Sequence, residues 1–463
     1  MRKDLWLAVA WTFLLPYLTC CAHDGEEAHG VQAVKPAALY APTAMPDRVI
    51  LTWNGDPRTT QAVTWRTSVE VVSGIAEIVA ADATPYFPEK ATQVAAVSEA
   101  LKTDLSTAHY HSVNFKDLQP GTRYAYRVGD GTNWSEWFQF STASASPEPF
   151  SFVYFGDAQN NLRSMWSRVI REAYRDAPKA AFLLHAGDLI NTAESDAEWG
   201  EWFGAGGWLN AMVPNVPVPG NHEQAKREDG RRRLSHHWRP SFTLPEQGPA
   251  GLEESCYTFT YHDLRVICLN SNERQDEQAV WLEEVLANNQ ASWVVCAFHH
   301  PIYSTGKDRD NAALRAIWKP IFDRYQVDLV LTGHDHTYGR TGFDVPEHMP
   351  TEAESIVGTQ NVPTGVQAVD KKAGTVYVVS VSGPKMYNNS RHEFMRRLAE
   401  DTQLYQVIHI DGAKLRFEAR TAIGQLYDAF ELHQQGPGQV NKLIEIAPEV
   451  PQHLRPLEPA AKN

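Results

Sequence analysis

Two histidines one residue apart follow an apolar, strand-like run in the last third of the sequence. The run from Asp328 to Thr332 leads directly into Gly333, His334, Asp335 and His336. A buried strand of this kind would deliver both imidazoles to its own C-terminal edge, where such side chains commonly bind metal ions. Because His-x-His also occurs in ordinary loops, the interpretation depends on whether other segments supply matching ligands.

Four further short segments carry side chains that suit the same chemistry, and all but one directly end an apolar run. They are Gly156-Asp157, Gly187-Asp188, Gly220-Asn221-His222-Glu223 and His299-His300-Pro301. Two carboxylates, one amide oxygen and three imidazoles can hold two cations about 3.5–4 Å apart if one carboxylate bridges them. We therefore predict a dinuclear metal site with Asp188 as the bridge and these ligands: Asp157, Asp188, Asn221, His299, His334 and His336.

The elements around these segments predict an α/β domain over residues 148–433. Apolar runs such as 150–155, 181–186, 264–269 and 293–298 alternate with stretches that carry one apolar helical face. Later runs between 374 and 432 read as additional strands, which indicates two packed sheets flanked by helices in a four-layer αββα arrangement. In such folds ligands collect beyond the C-terminal ends of the strands, where the predicted metal ligands fall.

The chain before this domain has a different pattern. Short alternating strands between residues 46 and 144 predict an all-β sandwich, and this segment carries no cluster of ligands or nucleophiles. A structural or positioning role is therefore favoured over a catalytic one. Residues 23–45 are predicted to form a polar linker, and residues 434–463 a C-terminal tail that contains prolines.

The first 22 residues predict export. Arg2 and Lys3 precede the apolar run Leu5–Leu15, which is short for a membrane span, and small residues follow at Thr19–Ala22. Cleavage after Ala22 and lipidation at Cys20 or Cys21 remain open alternatives, so the mature protein is expected to be periplasmic, extracellular or lipid-anchored. The other cysteines are Cys256, Cys268 and Cys296, an odd number without short spacing that predicts no disulfide framework.

The composition limits the partners. The sequence has 463 residues and a net charge of −14, which argues against a nucleic-acid or anionic-membrane surface. It does not argue against an anionic substrate, since bound cations reverse the local sign. The oligomeric state is not predicted.

The ordered set of ligand segments resembles the calcineurin-like metallophosphoesterases. With the preceding domain it is similar to the purple acid phosphatases and their fibronectin III-like N-terminal domain, through Asp117–Gly129 and His299–Tyr303. The resemblance implies that Asp157, Asp188 and His336 hold a first metal, and that Asp188 is shared with a second site. That second site would take its other ligands from a separate group, namely Asn221, His299 and His334. His222 would face the substrate phosphoryl group.

Two positions differ from this family's pattern. The family has a tyrosine three residues after the bridging aspartate, where this sequence has Asn191, and simpler relatives have a histidine where it has Gln159. Gln159 or Asn191 could supply a weak oxygen ligand, and the loss of a phenolate makes Fe, Zn, Mn or Mg plausible metals. Matching the family pattern selects His299 over His300 as ligand, which leaves His300 and Tyr303 as candidates to contact or orient the substrate.

These residues predict an exported phosphatase that hydrolyses phosphate monoesters in small molecules or other phosphorylated compounds. Metal ions would generate hydroxide for in-line attack, and His222 would protonate the leaving group. A phosphodiesterase or nucleotide hydrolase on the same site is the alternative, and a non-catalytic phospho-ligand binding protein is the less favoured one. The basic segment Lys226–Trp238 either lines the mouth of the site or is a solvated loop.

Overall fold

The chain folds into an N-terminal β-sandwich followed by an α/β domain. A computed structural model describes residues 33–307, 309–349, 374–436 and 438–456. The predicted export segment 1–22 lies outside the described residues, as do the first part of the predicted linker and the end of the predicted tail. No helix in the described part of the chain is long and apolar enough to cross a membrane.

The sandwich consists of two four-stranded antiparallel sheets. One has the order β1-β2-β6-β5 and the other β4-β3-β7-β8. The strands are β1 Asp47–Thr52, β2 Gln61–Ser68, β3 Ile75–Ala80, β4 Thr92–Ala95, β5 Val97–Lys102, β6 Thr107–Phe115, β7 Arg123–Gly129 and β8 Phe138–Ser141. Side chains from both sheets, including Trp65, Val113 and Tyr126, form a core between them, which explains the alternating pattern in the sequence.

The first sheet of the α/β domain has seven strands in the order β11-β10-β9-β21-β22-β23-β24. Its strands β9, β10 and β11 are parallel, and the others are antiparallel. Their bounds are β9 Phe150–Phe155, β10 Leu183–His185, β11 Asn215–Pro217, β21 Leu404–Asp411, β22 Lys414–Thr421, β23 Leu426–His433 and β24 Lys442–Ile446. A small separate hairpin joins β12 Gln224–Lys226 to β13 Arg232–Leu234.

The second sheet also has seven strands, in the order β14-β15-β16-β17-β19-β18-β20. Strands β15, β16, β17 and β19 are parallel. The bounds are β14 Tyr257–Tyr261, β15 Leu264–Cys268, β16 Trp293–Ala297, β17 Leu329–Thr332, β18 Tyr338–Thr341, β19 Val376–Val379 and β20 Met395–Ala399. All residues of β16 and β17 are buried, as expected for strands covered on both faces.

Helices cover the outer faces of the two sheets. They are α2 Ser167–Asp176, α3 Asp196–Gly206, α5 Gln275–Ala287 and α6 Ala312–Tyr325. Two short helices lie elsewhere: α1 Pro36–Leu39 buries no residue, and α4 Trp238–Ser241 contacts β2 and β6 of the sandwich. Apolar side chains of α2 and α3 pack with the first sheet, and those of α5 and α6 pack with the second. The two sheets share one core where they face each other, so the predicted four-layer arrangement is confirmed.

Two predicted features need adjustment. The segment 434–463 is not entirely a tail, because β24 pairs with β23 and buries Leu443 against the sheet. The basic segment Lys226–Trp238 is not a simple loop, since part of it forms the second strand of the β12–β13 hairpin. The three described cysteines are buried, and no disulfide joins them.

Candidate metal centre

The predicted ligands meet where the C-terminal ends of parallel strands from both sheets come together. Asp157 follows β9, Asp188 follows β10, and Asp157 forms a parallel bridge to Val381, which follows β19 of the other sheet. His299 follows β16, and His334 follows β17. The fold therefore brings side chains separated by up to 180 residues of sequence to one edge, as the strand pattern predicts.

The first group of ligand atoms is rich in carboxylates. Single ligand atoms of Asp157, Asp188 and His336 all lie within 4.8 Å of one another. Nε2 of His336 is 3.2 Å from Oδ2 of Asp157. Gln159 joins this group, because its Nε2 donates to Oδ2 of Asp188 at 2.9 Å and lies 3.1 Å from Nε2 of His336. All four side chains are buried, so the group is shielded from bulk water.

The second group is rich in nitrogen. Oδ1 of Asn221 lies 2.8 Å from Nδ1 of His334 and 3.0 Å from Nε2 of His299. Nε2 of His299 is also 3.1 Å from Oδ2 of Asp188, which places that carboxylate between the two groups. His300 is close as well, because one of its ring nitrogens lies within 4.8 Å of ligand atoms of His299 and His334.

The backbone of the site is held in an uncommon conformation. Asp188, His334 and His336 have φ values of 51°, 73° and 50°, a region that non-glycine residues rarely adopt and that clusters at functional sites. A Cβ at Gly220 would lie 2.2 Å from Oδ1 of Asp188, so the ligand loops approach too closely for any other residue there. The glycine is therefore required by the neighbouring ligand rather than by a positive φ.

Several atoms of the site fit a bound cation. Oδ2 of Asp157 and Oε1 of Gln159 are buried and have no hydrogen-bond partner among the described residues. A buried acceptor without a donor is costly, and a cation would satisfy it. A half-turn of the Gln159 amide would exchange its oxygen and nitrogen and direct the oxygen toward Asp188 and His336, so Gln159 could serve as an additional oxygen ligand.

The charges show the same need for a cation. Burial, together with neighbouring Asp188, raises the pKa of Asp157 to about 7, although His299 opposes this. Burial would also raise the pKa of Asp188, but His299 outweighs it and holds that pKa well below its usual range. Burial lowers the pKa of His336 to about 4 and that of His334 well below its usual range, so both imidazoles are neutral and able to bind a metal.

Carbonyl oxygens orient two of the ligand imidazoles. Nδ1 of His299 lies 2.9 Å from the carbonyl oxygen of Ala186, and Nδ1 of His336 lies 2.9 Å from that of Lys385. Because a carbonyl only accepts, each contact places a proton on Nδ1, so Nε2 is the nitrogen that would bind a cation. On His299 the cation would replace a second proton, because, against the effect of burial, Asp188 and Asp157 raise the pKa of this imidazole to about 9. This is the arrangement expected of metal-binding histidines.

Glu223 holds the two ligand loops together, a role that sequence reasoning missed. Its buried carboxylate accepts the backbone N–H groups of Asp188 at 2.9 Å and Leu189 at 2.8 Å, and that of Gly220 at 2.7 Å. The loop after β10 is thereby tied to the loop after β11. The one available signal was its position directly after Asn221 and His222.

His222 stands beside the ligands without belonging to either group. Its backbone N–H donates to Oδ1 of Asp188 at 2.8 Å, and its Nδ1 lies 2.5 Å from the carbonyl oxygen of Asn191. Nε2 points toward the centre, 4.0 Å from Oδ2 of Asp188, and the side chain is 28% exposed. The ring thus has one fixed nitrogen and one that faces the space where a substrate would lie.

Of the other three predicted positions, His300 lies near the metal ligands, whereas Asn191 and Tyr303 have other contacts. The Asn191 amide donates a long 3.4 Å bond to Oγ1 of Thr192, and it is the backbone carbonyl of Asn191 that contacts His222. Tyr303 is a correction: it is buried, and its hydroxyl donates to the carbonyl of Pro346 at 2.7 Å, so it does not face the substrate. His300 remains near the centre, with Nδ1 2.9 Å from Oγ of Ser271.

A basic and aromatic rim beside the centre was not predicted. The Arg309 guanidinium contacts Nε2 of His334 and lies 5.1 Å from the ring centre of Tyr387. The ammonium of Lys385 lies 5.4 Å from the same ring, which in turn packs against His336. Neither Arg309 nor Lys385 lies in one of the ligand segments, so spacing alone gave no signal for them.

Comparison with known proteins identifies the class. Residues 150–338 match the family model of calcineurin-like phosphoesterases, and residues 46–142 match the model of the purple acid phosphatase N-terminal domain. A purple acid phosphatase from yellow lupin seeds has a similar fold, with a TM-score of 0.68 and 18% identity over 84% of this chain and 75% of that one. A structure of PhoD aligns with a TM-score of 0.60 and 12% identity, covering 89% of this chain and 94% of that one.

Proteins with related sequences include acid phosphatases. An uncharacterized protein of Mycobacterium tuberculosis is 29% identical over 383 residues, which is 70% of this chain and 67% of that protein. Human acid phosphatase type 7 is 26% identical, over 65% of this chain and 72% of its own length. Residues 150–338 therefore form a calcineurin-like phosphoesterase domain, and residues 46–142 a purple acid phosphatase N-terminal domain. The protein is accordingly a metal-dependent phosphatase with an N-terminal β-sandwich and an α/β metallophosphoesterase domain.

Proposed function

We propose that this protein is a phosphomonoesterase that works with two metal ions and uses His222 as general acid. The observation that carries the proposal is the convergence of the two ligand groups on either side of Asp188, with Nε2 of His222 directed at the same space. Bound metal ions would supply Lewis acidity and lower the pKa of a coordinated water. Asp157, Gln159 and His336 would hold one ion, with Asp188 shared between the two.

The geometry of His222 suits proton donation to a leaving group. The Asn191 carbonyl can only accept, so Nδ1 of His222 carries a proton in every protonation state of the ring. The second proton therefore resides on Nε2, the nitrogen that faces the centre. Transfer from Nε2 to an alkoxide oxygen leaves the ring neutral and still bonded to Asn191.

The basic rim supports a substrate with a dianionic phosphate. If Nδ1 of His334 faces a cation, its Nε2 must carry the proton and cannot accept from Arg309. Nη2 of the guanidinium would then be available to a phosphoryl oxygen, while Nε stays 3.4 Å from Oδ1 of Asp335. A monoester offers more terminal oxygens and more charge to Arg309 and Lys385 than a diester does.

The test is the substitution His222→Ala, measured with leaving groups of different basicity. We expect both metal ions to be retained and turnover of an alkyl phosphate to fall by about 10²–10⁴-fold, the usual contribution of a positioned general acid. The loss should be much smaller for p-nitrophenyl phosphate, because p-nitrophenolate leaves without a proton. Loss of metal from this variant would instead make His222 a ligand.

Phosphodiester hydrolysis is the second candidate, and one observation favours it. A cleft of about 1030 Å³ opens beside Asn221 and His300, between the β12–β13 hairpin and the start of α6. Such a volume leaves room for a second ester group. The test compares the rates of hydrolysis of p-nitrophenyl phosphate and bis(p-nitrophenyl) phosphate with Fe, Zn, Mn and Mg as the added metal. Faster hydrolysis of the diester would favour a phosphodiesterase over a phosphomonoesterase.

We also propose that the protein is exported, on the basis of the charged and apolar pattern of residues 1–22. Mass spectrometry of the mature N-terminus would distinguish cleavage after Ala22 from a lipid-modified Cys20 or Cys21. Recovery of an uncleaved chain starting at Met1 from cells with an active export system would contradict the proposal.

A further inference from the structure

Buried charges join the β-sandwich to the first turn of α3. Asp196, the first residue of that helix, is fully buried, and its Oδ1 lies 2.6 Å from Nη1 of Arg48 in β1. Its Oδ2 lies 3.3 Å from Nη1 of Arg66 in β2. The backbone N–H of Asp196 also donates to Oδ1 of Asp104, between β5 and β6, at 2.8 Å. Three sandwich residues thus hold the start of this helix.

The same helical turn holds the loop that follows the bridging aspartate. Oε2 of Glu198 accepts the backbone N–H groups of Asn191 and Thr192, both at 2.7 Å. Two hydrogen bonds to one carboxylate oxygen fix the direction of this peptide segment, and charge-assisted bonds of this kind are among the stronger ones. The position of the loop therefore depends on the position of α3.

The loop in turn holds His222 through its backbone. The carbonyl of Asn191, whose N–H is bound by Glu198, accepts Nδ1–H of His222 at 2.5 Å. If this carbonyl moved, the ring would be free to rotate and Nε2 would no longer be held toward the centre. No side chain of a predicted metal ligand takes part in the contacts from Arg48 to His222.

We infer that Glu198 is a positioning residue for His222 and that the β-sandwich acts on the active site through it, by way of Asp196. The inference rests on the proposed role of His222 as general acid. It gives the sandwich, which carries no ligand of its own, a part in proton transfer. A purely structural role for Glu198 would instead lower turnover of all substrates alike.

The first experiment compares Glu198→Ala with Glu198→Gln in the full-length, metal-loaded enzyme. Loss of the acceptor should reduce kcat for an alkyl phosphate about 10-fold, part of the contribution of a general acid, and change kcat for p-nitrophenyl phosphate less than about 2-fold. Metal content should not change. The amide oxygen of Gln can still accept, so Glu198→Gln should restore most of the activity. Equal losses for both substrates would overturn the inference.

A double variant gives a stricter test. If Glu198 acts only by orienting His222, adding Glu198→Ala to His222→Ala should cause no further loss with the alkyl phosphate. Multiplied losses would show that Glu198 acts by another route. A leaving-group dependence in His222→Ala but not in Glu198→Ala would refute the positioning inference alone. If the loss in His222→Ala did not depend on the leaving group, the proposed role of His222 as general acid would be refuted.

The contribution of the sandwich is tested at Arg48 and Asp104. Arg48→Gln should produce the same leaving-group-dependent loss, and Asp104→Ala provides a second variant that leaves the buried Arg48–Asp196 pair intact. Thr52→Val is the matched control, because Oγ1 of Thr52 donates to the carbonyl of Thr243 at 2.7 Å and so joins the same two domains away from α3. A folded Asp104→Ala enzyme with unaltered leaving-group dependence would refute the role of the sandwich.

Discussion

The two halves of the candidate metal centre differ in chemistry and in surroundings. One half consists of buried side chains with two carboxylates, one amide and one imidazole: Asp157, Asp188, Gln159 and His336. The other half has the Asn221 amide and the imidazoles of His299 and His334, with His300 nearby, and it adjoins the cleft beside the β12–β13 hairpin. Asp188 lies between them.

If each half binds one metal ion, as proposed, the two sites should differ in the ions they prefer. Oxygen-rich surroundings favour hard cations, and imidazoles favour borderline ions such as zinc. The carboxylate half is also the one that lacks the family's phenolate, so its preference for a trivalent ion should be weaker than the family resemblance implies. The nitrogen half lies beside the open cleft, which Asn221 and His300 line.

The largest expected effect comes from Asp188→Asn, which removes the one carboxylate that both halves share. A bridging carboxylate neutralises two cations, and an amide cannot, so turnover should be abolished and most bound metal lost. The measurement is metal content by mass spectrometry together with activity. Near-normal activity with two metals per chain would contradict the shared role.

A smaller and selective loss is expected from single imidazole changes. His336→Gln should weaken binding of the ion in the carboxylate half, and His299→Gln should weaken binding of the ion in the nitrogen half. Changes to residues that only support a metal ligand typically lower affinity about 10–100-fold, and each of these losses should be larger. His300→Gln is the matched control and should retain both ions. Equal loss of both ions in either ligand variant would mean that the halves are not distinguishable sites.

The visible absorption spectrum should show whether a tyrosinate binds iron in the carboxylate half, as it does in the purple acid phosphatases that this chain resembles. We expect iron-loaded protein to lack a tyrosinate-to-iron band, because Asn191 replaces the family's tyrosine and Tyr303 donates to Pro346. Tyr338 is likewise engaged, with its hydroxyl on Oδ2 of Asp428 at 2.7 Å. The Tyr387 ring lies beside His336, so a visible band that disappears in Tyr387→Phe would contradict this expectation.

The smallest effect concerns Asp328, at the end of β17 opposite His334. Burial raises the pKa of this carboxyl to about 7, while hydrogen bonds from Val294 and Asn441 oppose the rise. The folded protein therefore binds a proton that the unfolded chain, with a pKa of about 3.9, releases, so stability falls as pH rises through this window. Asp328→Asn should flatten this decline in thermal melts, and an unchanged slope between about pH 4 and 7 would contradict it.

Most of the ligand segments were predictable because they directly follow apolar, strand-like runs of the sequence. Apolar runs before Asp157, Asp188, His299 and His334 marked strand ends, and the α/β order predicted that these ends would share an edge. The antiparallel strands β4 and β5 were harder to predict, because most of their residues are exposed and give little alternating pattern. Pairing with neighbouring strands decides their conformation.

The side chains that position the site were harder to find. Glu198 acts through backbone N–H groups of a loop, and Arg48 acts through a helix of the other domain, so neither has a fixed spacing from the residue it affects. Tyr303 was misjudged for a related reason, since its position after His299 did not reveal that its ring turns into the core. Tertiary contacts, rather than local sequence, determine all three.

The central claim is that two metal ions, held on either side of Asp188, are needed for phosphatase activity. The most direct measurement is the number of metal ions per chain in the active protein, followed by removal with a chelator and stepwise return of Zn²⁺, Mn²⁺ or iron. We predict two ions per chain, loss of p-nitrophenyl phosphate hydrolysis on chelation, and full recovery only after the second equivalent. Full activity with one ion, or activity that survives complete removal of metal, would contradict this account.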